Sequence, residues 1–179
     1  MWKRIAIFAV VVAVPIGVAR LVQTSTSASN NIDRGDQANN ESVITNASGR
    51  IDAASLHATV EHMLLEQAEA WNAGDLDGFM EWYERGPEVT YIGSVGLIHG
   101  WNAVRLRYAP LFEPGAARDA LRFEGLDTRP LGTGLALATA RYVLFDGDSI
   151  TSTGMFTLVL RAKREGWRIA HDHSAADSN

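Results

Sequence analysis

The sequence predicts an α+β fold: a curved, mostly antiparallel sheet wrapped round about three helices, with a cone-shaped cavity between them. Three observations predict it. Helical periodicity dominates the stretch from residue 52 to residue 83, and strand-like alternation dominates from residue 121 onward. The order in between is a short β-pair and one more helix. Four strands then follow in a row, joined by turns such as Asp146-Gly147-Asp148, as in a meander packed on helices.

The chain of 179 residues fits one domain plus an appendage. Trp2-Lys3-Arg4 is a short basic start, and Ile5 to Val18 is an apolar run broken only by Pro15 and Gly17. This pattern predicts a secretory signal over residues 1–28, with Thr26-Ser27-Ala28 at cleavage spacing, and hence export to the periplasm or the medium. The alternative is an uncleaved membrane anchor over residues 5–22, although Arg20 interrupts it. Residues 29–50 are rich in Ser, Asn, Asp and Gly, too polar to offset the entropy of ordering, and predict a disordered linker. Within it, Arg34-Gly35-Asp36 is a chance tripeptide, and the sequons at Asn40 and Asn46 matter only in a eukaryotic secretory pathway.

The folded domain is expected over residues 51–176, with residues 177–179 as a tail. Asp52 is a candidate N-cap. Leu56, Val60, Met63, Leu64, Gln67 and Trp71 follow at helical spacing, and Gly74 stops the helix in a left-handed conformation. Asp75 caps a second helix whose apolar face is Leu76, Phe79, Met80 and Tyr83. Glu88 to Val95 reads as a strand, and Gly96 to Gly100 as a turn with a short return. Trp101 to Ala109 reads as a helix that stops before Pro110. Leu121 to Pro130, Leu135 to Phe145 and Ile150 to Ala162 are strands. The last strand begins after the turn Arg164-Glu165-Gly166.

A formal charge of −5, with no stripe of Lys and Arg, argues against nucleic acid as a partner. The absence of cysteine excludes disulfides, thiolate catalysis, Cys-ligated zinc and a lipoprotein anchor.

The readable chemistry gathers in the last strand, Trp167-Arg168-Ile169-Ala170-His171-Asp172-His173-Ser174. Regular alternation puts Trp167, Ile169, His171 and His173 on one face, running from core into a polar site. His171 and His173 are therefore the candidate catalytic acid/base groups. Their spacing could also chelate a metal with His99, but no carboxylate cluster accompanies them, and neither metal nor cofactor is expected. On the same alternation Asp172 points the opposite way. It is expected in a salt bridge with Arg141 or Arg161, the alternative being an active-site base. A local bulge would reverse this geometry.

Arg141 stands in an otherwise apolar strand, so it must be paired or must face a cavity. In a cavity it would hold an anionic ligand group such as a carboxylate. His171, His173 and Arg141 are expected to converge on the open end, with His99 at its rim. Tyr83, Tyr91, Trp82, Trp101 and Tyr108 are the aromatics expected along the wall.

Five motifs in order resemble one family. Trp71-Asn72-Ala73-Gly74-Asp75-Leu76-Asp77 resembles the W-N-x-G-D-x-D junction of SnoaL-like, DUF4440-type proteins of the NTF2-like superfamily, to which ketosteroid isomerase also belongs. Tyr91, Gly100-Trp101-Asn102-Ala103, Gly154-Met155-Phe156-Thr157-Leu158 and Gly166 to Ser174 fit the later motifs. The resemblance spans about Leu56 to Ala175. It implies the NTF2-like cone and a homodimer, and it leaves function open. The leading expectation is an exported protein that binds a small, largely apolar molecule, without strong catalysis. One alternative is an isomerase, cyclase or hydrolase using a pocket His and Tyr. Another is a homodimeric assembly module. The tyrosine and two aspartates of ketosteroid isomerase have no motif counterpart here, since Asp75 and Asp77 serve helix capping.

Overall fold

A computed structural model describes residues 51–178. The signal or anchor, the linker, the tripeptide and the sequons all lie outside the described residues.

Helix α1 (Ala53–Ala73) starts where Asp52 accepts a hydrogen bond from the Ser55 amide at 2.7 Å. It buries the stripe from Leu56 to Trp71. Gly74 ends it at φ +78°, the left-handed conformation that glycine adopts without strain. Asp75 then caps α2 (Leu76–Met80) through the Gly78 amide at 2.9 Å. The helix is shorter than its apolar face suggests. After Met80 the backbone turns to the last strand: the Ile169 amide donates to the Trp82 carbonyl at 2.7 Å, and the Glu84 amide to that of Ile169 at 2.9 Å. Tyr83 is thereby held beside Ile169 rather than on a helix.

Strands β1 (Thr90–Gly93) and β2 (Gly96–His99) form the expected pair. Helix α3 (Trp101–Tyr108) ends before Pro110, and the chain continues through a 3-10 turn (Ala109–Phe112). Strands β3 (Ala120–Gly132), β4 (Leu135–Asp146), β5 (Ser149–Lys163) and β6 (Gly166–Ala176) complete a six-stranded sheet of order β2-β1-β6-β5-β4-β3. Every junction is antiparallel except β1 with β6. The result is the expected α+β cone.

The Trp-Asn pair at the end of α1 ties the helix to the sheet. Trp71 Nε1 donates to the Asp119 carbonyl at 2.9 Å, and the Asn72 amide exchanges two hydrogen bonds with the Leu121 backbone, at 2.7 and 3.0 Å. Asn72 thus pairs with β3 as a neighbouring strand would. Among the described residues no helix is long and apolar enough to cross a membrane.

One irregularity decides the site. Leu160 pairs with Ile169, but the next residue of β5, Val159, pairs with His171. Ala170 is the extra residue of a β-bulge, and the faces of β6 exchange there. Trp167 and Ile169 point inward before it, and Asp172 points inward after it, all three buried.

Candidate functional site

Helices and sheet enclose a cavity of about 120 Å³. Its walls are mostly apolar, with Leu64 and Trp71 from α1, Phe79 from α2, and Phe156 and Leu158 from β5. Polar groups enter from β6, β1 and α3: Asp172, Ser174, Tyr91, Tyr108 and Arg107, together with Tyr83.

Asp172 is the centre of this polar group. It is only 4 % exposed. The Tyr83 hydroxyl donates to its Oδ2 at 2.7 Å, and the Ser174 hydroxyl to its Oδ1 at 2.8 Å. Burial pushes the Asp172 carboxyl above its ordinary range, while the two hydroxyl bonds and the nearby histidines pull it down. The protonated form is therefore unusually accessible.

The Tyr83 hydroxyl lies 3.4 Å from that of Tyr108, and the Tyr108 ring meets the Tyr91 ring edge-on, centroids 5.8 Å apart. Three phenols are thus grouped beside Asp172 at the cavity wall. Burial raises the pKa of each, most for Tyr83 and Tyr108, with the Asp172 charge adding to it. All three are neutral O–H groups at working pH. The ring of Tyr91 is seated by Gly93, where a Cβ would stand 2.3 Å from the Tyr91 hydroxyl. A glycine is needed there for space, not for its backbone angles.

The structure brings Tyr83, Tyr91 and Tyr108 together at the cavity wall, but not the other named candidates. His171 and His173 lie on the outer face of β6, because the bulge at Ala170 turns them away from the face of Trp167 and Ile169. His173 is exposed, and His171 is half-buried with Nδ1 2.7 Å from the Thr90 hydroxyl. His99 is exposed on β2, with Thr90 between it and His171 in the register. Among the described residues no group of three or more His, Asp and Glu is placed to hold a metal ion. Trp101 packs against the helices, its Nε1 3.4 Å from the Met80 carbonyl, and Trp82 packs against the core under Arg168.

Arg141 does not reach the cavity. It forms an ion pair with Asp177, a residue also held by the Thr153 hydroxyl and backbone. Arg161 pairs with Glu84 at 2.8 Å. The salt bridge expected between Asp172 and one of these arginines is therefore corrected. Each arginine faces outward and has its own acid, and Asp172 is bonded to neutral hydroxyls inside.

Asp172 enters the cavity by the bulge that the sequence offered only as an alternative, and the sequence did not point to Ser174, to Arg107, or to the role of Gln67, whose side-chain amide donates to the Phe79 carbonyl at 3.2 Å. Gln67 interrupts the otherwise apolar stripe of α1, and that was its signal, since a polar group on a buried face needs a partner.

A SnoaL-like domain family model matches residues 60–176. The chain belongs to that family. No curated protein matches it. Among solved structures, an NTF2-like protein of unknown function from Shewanella oneidensis is 28 % identical. The alignment covers 66 % of this chain and 97 % of that one, at a TM-score of 0.58. An NTF2-like protein of unknown function from Pseudomonas putida is 17 % identical, covering 70 % and 89 % at 0.59. A proposed dehydratase of the NTF2-like family from Streptomyces avermitilis is 17 % identical, covering 72 % and 100 % at 0.59. The last two likenesses bear on the fold alone.

Proposed function

We propose that this SnoaL-like domain binds a small, largely apolar molecule in its cone and fixes one oxygen of it at the Asp172–tyrosine end. The observation that carries this is Asp172 itself. A carboxyl buried in an apolar cavity, hydrogen-bonded only to neutral hydroxyls, is costly to the fold and suits recognition of a carbonyl or hydroxyl. Export remains part of the reading, on the basic and apolar start from Trp2 to Val18.

A second reading is acid/base catalysis, favoured by the raised pKa of Asp172 and its bond to Tyr83. The carboxylate would take a proton from a carbon next to a ligand carbonyl. The electron pair would move to the carbonyl oxygen, held by a tyrosine O–H. Asp172 would then return the proton to another carbon or to a departing hydroxyl, which leaves as water. Here the carboxylate does the work first expected of a histidine.

The test compares phenol with benzene by calorimetric titration on wild type and Asp172→Ala. Wild type should bind phenol the more tightly, and Asp172→Ala should cost phenol about tenfold, the worth of one hydrogen bond in such a site, and benzene much less. Equal losses for both would remove the polar end from recognition, and no binding of either would end the proposal.

A further inference from the structure

The hydrogen bonds at the polar end of the cavity all run one way. The Tyr83 hydroxyl gives its proton to Oδ2 of Asp172 at 2.7 Å, and the Ser174 hydroxyl gives its proton to Oδ1 at 2.8 Å. A hydroxyl has one proton to give, so both groups now offer a ligand only lone pairs. Tyr108 follows the same direction. Its hydroxyl is 3.4 Å from that of Tyr83, whose proton is already spent, so a bond between the two runs from Tyr108 to Tyr83. Tyr91 pairs with Asp172 in the register of β1 and β6, but its ring leans along its own strand and its hydroxyl stands over Gly93.

We propose that the ligand is a one-ring alcohol or phenol that meets Asp172 with its hydroxyl and donates the hydroxyl proton to a carboxylate lone pair. This rests on the function proposed above and decides which oxygen group the ligand carries. An ionised carboxyl has about four acceptor positions, and the Tyr83 and Ser174 hydroxyls fill two of them. Asp172 lines the cavity, so the remaining positions are those a ligand meets. The volume fits one ring. A cavity of about 150 Å³ holds benzene, and this one is of similar size. Phe79, Phe156 and Leu158 supply apolar surface for the ring.

A carbonyl brought to the same place would set its lone pairs against those of the carboxylate, and the apolar wall screens that repulsion poorly. A carbonyl needs a donor, and Asp172 supplies one only when protonated. Burial favours that form, but a proton on either oxygen would make it a poor acceptor for the hydroxyl already pointing at it. The alternative is that Tyr83 turns its proton from Asp172 to a ligand carbonyl. That move leaves a buried carboxyl with one donor fewer, and it predicts that a ketone is bound at least as well as the matching alcohol.

The probes are cyclohexanol, cyclohexanone and phenol, titrated calorimetrically at pH 7. The first two share a ring and differ at the oxygen. Wild type should bind the alcohol about tenfold or more tightly than the ketone, the worth of a hydrogen bond to a charged group, and this comparison needs no variant. Asparagine has an N–H donor beside its one carbonyl oxygen, so Asp172→Asn should erase the preference. If wild type does not favour alcohol over ketone, or if Asp172→Asn keeps the preference, the proposal is overturned. In that case phenol binding by wild type leaves the broader function standing. Failure of phenol as well would bring down both.

Discussion

Beyond Ala170, the two faces of β6 hold chemically similar side chains in very different surroundings. The outer face carries His171 and His173, next to Thr90, Ile92, Thr157 and Val159 in the register. The inner face carries Asp172 and Ser174 among aromatic rings. The imidazoles on the outside are open to solvent or meet a threonine hydroxyl. The carboxyl on the inside has lost its water, and its proton affinity rises. The side of the strand decides which of these groups loses its water.

The largest effect should come from exchanging the groups on the two faces. The double exchange His171→Asp with Asp172→His would bring an imidazole into the cavity wall and take outside the carboxyl to which Tyr83 and Ser174 bond. At about 1–3 kcal/mol for each buried group left without its partner, it should cost about 2–6 kcal/mol in all. Urea denaturation should show a much lower midpoint or no cooperative transition. Deleting Ala170 removes only the extra residue: Ile169 stays opposite Leu160 and His171 opposite Val159, so Asp172 still points inward, and the deletion should melt closer to wild type. If the deletion is as damaging as the exchange, the ladder on either side of Ala170 does not set the faces.

The same residue explains how much could be read in advance. Caps, helical spacing and turn residues placed the three helices and the strands, but α2 ends early, at Met80, and the 3-10 turn over Ala109–Phe112 gave no signal. Asp52, Gly74, Asp75 and the hairpin at Gly147 mark real boundaries. Three of the cavity tyrosines were also legible, since a buried phenol needs a partner. The polar centre was not. Alanine fits either face of a strand, so Trp-Arg-Ile-Ala-His-Asp-His-Ser alternates equally well with or without a bulge. Arg141 misled for a different reason. It looks like a lone charge in an apolar strand, yet it points outward, and its acid is Asp177, in the segment expected to be a tail. Arg107 gave no signal because Val104 and Tyr108 alone defined the helix face.

A mid-sized effect should appear in pH dependence. The folded pKa of Asp172 is raised above its ordinary value of 3.8. Between the two values the folded protein holds a proton that the unfolded chain has lost. The stability from this group is thus full below the unfolded value and disappears as pH rises through the folded one. Each unit of such a shift is worth about 1.4 kcal/mol. Asp172→Asn keeps an acceptor for Tyr83 and carries no charge. It should therefore be at least as stable as wild type at neutral pH, with that advantage shrinking as the pH falls toward 4, near the ordinary carboxylate value. Thermal melts across the range measure this, and a difference that does not change with pH would mean that Asp172 is not penalised by burial.

The smallest effect should come from the residues that look most catalytic. His173 is exposed on the outer face, and replacing such a side chain usually changes stability by about 0.5 kcal/mol or less. His171→Ala should cost more, about 1 kcal/mol, because it breaks the hydrogen bond with Thr90. Neither side chain lines the cavity, so phenol affinity at neutral pH should stay within about twofold of wild type, less than one hydrogen bond is worth. A weak link does cross the strand, since both histidines, when protonated, favour the ionised form of Asp172. The decisive measurement is phenol titration of His173→Ala at pH 7. A tenfold loss there would move the site to the outer face and reverse the contrast between the two sides of β6.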